Sequence, residues 1–134
     1  MSVGSTRILY VEDDADTREL VTVLLTFSNC EVVATADHDE ALFLAGSRSF
    51  DLYLLDNWLP DKPGTDLCRQ LREFDRETPI LFYSGAAFQN DKDQAFLSGA
   101  QGYLVKPAYP DELISEVFRL IGNTRSIASR RTAE

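Results

Sequence analysis

Five short apolar runs, residues 7–11, 31–36, 52–55, 79–83 and 102–105, alternate with segments of helical periodicity along a chain of 134 residues. Runs of this length read as strands, and each is separated from the next by enough chain for a crossover helix. Strands joined through helices pair in parallel, with right-handed connections that cover both faces of the sheet. The expected fold is therefore α/β, a doubly wound five-stranded parallel sheet. At 134 residues and 44% hydrophobic content the chain can fill one core.

The intervening segments carry helix start and stop signals. Asp16 with Glu19 has the spacing of a capping box, and Leu20, Leu24 and Phe27 follow at helical intervals up to Ser28-Asn29. Asp37 with Glu40 repeats that spacing before Ala41, Leu42 and Ala45, and Gly46 to Ser49 ends the second helix. Pro60, Pro63 and Gly64 keep the third from starting before about Thr65, after which Leu67, Leu71 and Phe74 mark it. Asn90 and Asp93 open the fourth, with Gly99 as its left-handed stop. Pro110 sits at the first position of the fifth, whose apolar face is Leu113, Ile114, Val117, Phe118 and Ile121 and whose expected end is Gly122-Asn123. Residues 1–123 then form the domain, and 124–134 a C-terminal tail or linker stub.

Asp56 is the residue that most needs explaining. It follows Leu52-Tyr53-Leu54-Leu55, a run apolar enough to be buried on both faces. A carboxylate at that point is costly unless it ends the strand and faces a ligand or cation, although an Asp capping the next turn is the commoner case for a lone strand end. In a parallel sheet the carboxyl ends of all strands share one rim, where ligands bind. The first strand delivers Glu12 and Asp13 there, the third Asp56, the fourth Ser84 and the fifth Lys106. Three crowded carboxylates call for a cation, and hard oxygen donors with open positions suit magnesium. A hydroxyl and an ammonium beside them suit phosphoryl oxygens, and Asp56 is placed as the nucleophile toward phosphorus. No glycine-rich phosphate loop follows the first strand, which argues against a dinucleotide or P-loop nucleotide.

On Ile8-Leu9-Tyr10-Val11-Glu12-Asp13-Asp14, Leu54-Leu55-Asp56 with Leu59-Pro60 and Gly64, Ser84-Gly85-Ala86, and Gly102-Tyr103-Leu104-Val105-Lys106-Pro107, the chain resembles the receiver domain of two-component response regulators over nearly its whole length. The resemblance implies a flavodoxin-like (βα)5 sheet of strand order 2-1-3-4-5. It implies that Asp56 accepts a phosphoryl group from a sensor histidine kinase or phosphotransfer protein. By the same analogy Asp13 and Asp56 ligate Mg2+ directly, Glu12 acts largely through water, and the backbone carbonyl of Trp58 supplies a further ligand. Ser84 then turns to the phosphoryl oxygen, Tyr103 moves inward behind it, Lys106 pairs with the aspartyl phosphate, and the Lys106-Pro107 bond is cis. Such a domain is a switch rather than an enzyme, assisting its own phosphorylation and slow dephosphorylation, and it signals through the surface of the fourth helix, fifth strand and fifth helix. A second copy is one candidate partner.

Several residues depart from the commonest receiver pattern. Ala108 and Tyr109 follow Lys106-Pro107, Pro63 stiffens the loop after Asp56, and Trp58 is bulky for its turn, where it is expected to shield the phosphoryl group and alter dephosphorylation. His38, without a partner motif, is expected to face solvent, and Phe88 in Ala86-Ala87-Phe88 to tuck into its loop, the alternative being a contact surface for a partner or a second copy. Cys30 and Cys68 are too far apart in sequence to suggest a zinc motif, and read as buried thiols. A net charge of −9, from 22 acidic and 13 basic residues, argues against nucleic acid and membrane surfaces, so partners are proteins and the setting cytoplasmic. Ending at Glu134 leaves no room for an output domain, so either a single-domain regulator or a cut linker is expected. Two rival readings remain. A haloacid-dehalogenase-type phosphohydrolase wants a second carboxylate where Trp58 stands; a receiver-like interaction module independent of phosphorylation would not need the intact acidic set.

Overall fold

The computed structural model describes residues 6–133, with side chains to residue 127. Five strands, β1 (Thr6–Val11), β2 (Cys30–Thr35), β3 (Leu52–Leu55), β4 (Ile80–Ser84) and β5 (Gly102–Val105), alternate with α1 (Ala15–Phe27), α2 (His38–Ser47), α3 (Gly64–Phe74), α4 (Gln89–Ser98) and α5 (Pro110–Ala133). All pair in parallel in the order β2-β1-β3-β4-β5, as expected. Alternation along each strand divides the core in two. Leu9, Val11, Tyr53, Leu55, Ile80 and Phe82 pack with α2, α3 and α4 on one face. Ile8, Tyr10, Leu52, Leu54, Leu81 and Tyr83 pack with α1 and α5 on the other. No described helix is long and apolar enough to cross a membrane.

Four local readings are corrected. The cap of α1 is Asp14, whose carboxylate accepts from the Thr17 N–H at 2.9 Å and the Thr17 hydroxyl at 2.6 Å; Asp16 lies inside the helix. His38 is buried against α3, bonded through Nε2 to the Gln70 side chain, because α2 starts one residue after its Asp37 cap and turns His38 inward. Phe88 is 80% exposed, standing as the residue before α4 rather than tucked beneath it; the cap bond there runs from the Phe88 N–H to Asp91. Finally, α5 runs through Gly122-Asn123 to Ala133. A glycine inside a helix costs only about 1 kcal/mol, and Gly122 lacks the left-handed backbone that stops α4 at Gly99. Beyond it Thr124 bonds the Leu120 carbonyl and Arg125 pairs with Asp51.

Candidate functional site at the carboxyl rim

Ladder bonds carry the acidic residues to the rim. The Asp56 N–H donates to the Val11 carbonyl at 3.1 Å and the Glu12 N–H to Thr35 at 3.0 Å, so the first and third strands end side by side. Glu12 is 1% and Asp56 3% exposed, while Asp13 faces solvent. Each of the three presents one carboxylate oxygen, and these oxygens lie within 4.8 Å of one another. That is a hard-oxygen set with an open side at Asp13, and it fits a small divalent cation.

Lys106 reaches in from the end of β5. Its Nζ donates to Glu12 Oε1 at 2.5 Å and to Asp56 Oδ2 at 3.0 Å, and lies 5.6 Å from the centroid of the Tyr83 ring. The Lys106-Pro107 peptide is cis, and the Lys106 N–H bonds Ser84 O at 2.9 Å. Burial pushes the Glu12 carboxyl above its ordinary range, and the Asp56 charge adds to this against the pull of Lys106. Burial alone would push the Lys106 ammonium down, but its bonds to Glu12 and Asp56 outweigh that and hold it above the ordinary value.

The remaining residues of the site lie at the end of β4, within β5 and around the turn between β3 and α3. Ser84 is fully buried, its Oγ accepting from the Ala86 N–H at 3.2 Å. Tyr103 is half-buried with its ring inward, stacked on Phe82 at 5.7 Å, and its hydroxyl donates to the Ala86 carbonyl at 2.5 Å. Burial raises that phenol's pKa. Trp58, 63% exposed as a residue, donates its backbone N–H to Asp56 Oδ1 at 3.1 Å. Gly64 closes under this turn: a Cβ there would lie 2.2 Å from the Asp56 carbonyl oxygen, so no larger residue fits.

Three residues joined to the site were not assigned to it from the sequence. Arg18 donates to the carbonyls of Glu12 at 2.8 Å and Asp13 at 3.3 Å, and so holds the acidic loop. Its place one turn into α1 was the available signal. Tyr10 bonds Glu12 Oε1 at 3.4 Å and Tyr83 lies under Lys106; each sits inside an apolar run, where spacing marks it only as core.

Residues 8–118 match the family of the response regulator receiver domain. The chain belongs to that family. Receiver domains are signalling switches that interact with histidine kinases or phosphotransfer partners, and the family typically binds Mg2+. This receiver domain is 33% identical over 122 residues to the cell cycle transcriptional regulator CtrA of Caulobacter vibrioides, covering 91% of this chain and 53% of that protein. To the transcriptional regulatory protein ResD of Bacillus subtilis it is 34% identical over 118 residues, covering 88% and 49%. The chain thus spans about half the length of the curated relatives it matches. A CheY-like receiver domain protein from Methanospirillum hungatei superimposes with a TM-score of 0.88 at 26% identity, covering 92% of this chain and 98% of that one. The receiver domain of sensor histidine kinase PA1611 from Pseudomonas aeruginosa, with magnesium coordinated in its active site cleft, gives 0.82 at 29%, covering 89% and 99%.

Proposed function

We propose that Asp56 is the phosphoacceptor of a cytoplasmic response regulator, and that its phosphorylation reshapes the α4-β5-α5 surface for a downstream protein. The observation that carries this is the position of the Asp56 carboxylate, within 4.8 Å of the Glu12 and Asp13 oxygens and 3.0 Å from Lys106 Nζ. An Asp56 oxygen attacks the phosphorus of a phosphohistidine on a kinase or phosphotransfer protein. The O–P bond forms as the P–N bond breaks, and the imidazole leaves with the electron pair. Glu12, Asp13, Asp56 and the Trp58 backbone carbonyl would hold magnesium, which offsets charge on the transferring oxygens. The Lys106 ammonium, already bonded to Asp56 Oδ2, stabilises the same charge.

An aspartyl phosphate carries about −1.5 to −2 charge at neutral pH in place of the carboxylate's own, and its new oxygens need donors. The Ser84 hydroxyl becomes one by giving up its turn with Ala86. Because Tyr103 holds the Ala86 carbonyl, that movement reaches β5 and α4 directly. The net charge of −9 favours protein partners over nucleic acid for this domain.

The test is intact mass after incubation with magnesium and acetyl phosphate, wild type against Asp56→Asn. We expect a single alkali-labile phosphoryl adduct that requires magnesium and is lost in the variant. No adduct from acetyl phosphate or from phosphoramidate, an N–P donor, would overturn the reading and favour an interaction module independent of phosphate.

A further inference from the structure

One residue touches both loops of the switch. The Trp58 N–H is bonded to Asp56 Oδ1, and its indole lies on Gly85: a Cβ built there would meet Trp58 Cζ3 at 3.1 Å and Cη2 at 3.6 Å. Gly85 has no left-handed backbone to demand a glycine. Its missing side chain instead provides the seat for the ring. Trp58 is 63% exposed, so the indole rests on this contact and is not buried in the core. Gly85 in turn joins Ser84, whose Oγ accepts from Ala86, to the Ala86 carbonyl that receives the Tyr103 hydroxyl. Packed and bonded atoms therefore run from the acceptor carboxylate through Trp58 and the 84–86 segment to Tyr103.

We propose that Trp58 is a positioning residue, coupling the Asp56 loop to the 84–86 segment through its indole and thereby transmitting the state of Asp56 to Tyr103 alongside the Ser84 hydroxyl. This rests on Asp56 being the phosphoacceptor. The contact is of the kind that transmits motion: the rigid ring edge formed by Cε3, Cζ3 and Cη2 lies over bare backbone at Gly85, and pairwise dispersion there holds the two together.

The experiment compares wild type, Trp58→Ala, Trp58→Phe, Gly85→Ala and the Trp58→Ala, Gly85→Ala double variant. Each is saturated with magnesium and beryllium fluoride as an acyl-phosphate mimic, and the shift changes of the Ala86 amide and Tyr103 ring are read by NMR. Saturation removes any difference in affinity. Loss of the indole should reduce both changes at least about two-fold, with Trp58→Phe in between. Gly85→Ala should reduce them comparably on its own and add little once Trp58 is gone. Undiminished Tyr103 changes in Trp58→Ala, or a Gly85→Ala effect of equal size in both backgrounds, would overturn the proposal. If wild type and every variant are alike silent at Asp56, the phosphoacceptor reading itself fails and the coupling fails with it.

Discussion

Glu12 is almost fully enclosed, and the ammonium of Lys106 is the cation that makes its charge tolerable. Replacing Lys106 with Met would leave Glu12 and Asp56 facing each other in a poorly solvated notch. Breaking a buried pair from one side costs about 3–5 kcal/mol. Lys106 keeps 22% of its side chain exposed, so a loss of about 2 kcal/mol at neutral pH is expected. The pH dependence has a definite sign. The folded Glu12 carboxyl lies above its unfolded value near about 4.3, so the folded state holds the extra proton between the two, and stability falls as pH rises through that window. Removing Lys106 pushes Glu12 further up and widens the window. The ammonium's own contribution persists through neutral pH and is lost only above its ordinary value of about 10.4. The gap between wild-type and Lys106→Met urea midpoints should therefore be large near about pH 7.5 and shrink toward about pH 4.5. An unchanged gap would assign the loss to packing instead of charge.

The start of α1 shows where local pattern stops being sufficient. Asp14 and Asp16 each stand three residues before a capping partner, Thr17 and Glu19, and spacing alone does not choose between them. The end of β1 does: Val11 closes the strand, and Arg18 draws the Glu12 and Asp13 carbonyls toward the helix, which leaves Asp14 at the cap. Asp14→Ala should lower the urea midpoint and Asp16→Ala should not; an equal loss in both would return the cap to Asp16. Bonds from the Thr17 hydroxyl and N–H hold Asp14 below the usual carboxylate range. Its contribution is thus present above the unfolded value of about 3.9 and is lost as pH falls through the lower folded one. The strands were readable because each apolar run is short and ends in a polar residue, and the rim set followed from where those runs end. The inward turn of His38 and the Lys106 bridge to Glu12 were not, since both depend on neighbours 32 and 94 residues away. The passage of α5 through Gly122 was missed for another reason: a glycine is a stop only when the backbone turns left-handed there.

For the molecule as a whole, the acidic cluster links cation binding to folding. The three carboxylates are brought within 4.8 Å only when β1 and β3 are paired, so a cation that needs all three binds the folded chain alone. Such a ligand stabilises by RT ln(1 + [L]/Kd), about 2.7 kcal/mol at a hundred times Kd. Part of any rise on adding a salt is simple relief of repulsion in a chain of net charge −9, over a Debye length of about 8 Å at physiological ionic strength. Matched ionic strength separates the two. The urea midpoint of the wild type should climb with magnesium chloride and level off, and climb much less with sodium chloride at the same ionic strength. In Asp13→Ala the magnesium curve should fall toward the sodium curve, because Asp13 is exposed and its loss disturbs little besides the cluster. A magnesium response that survives Asp13→Ala intact would mean that the cation is bound elsewhere or only screens, and would leave Lys106 as the partner of Glu12 and Asp56 at the rim.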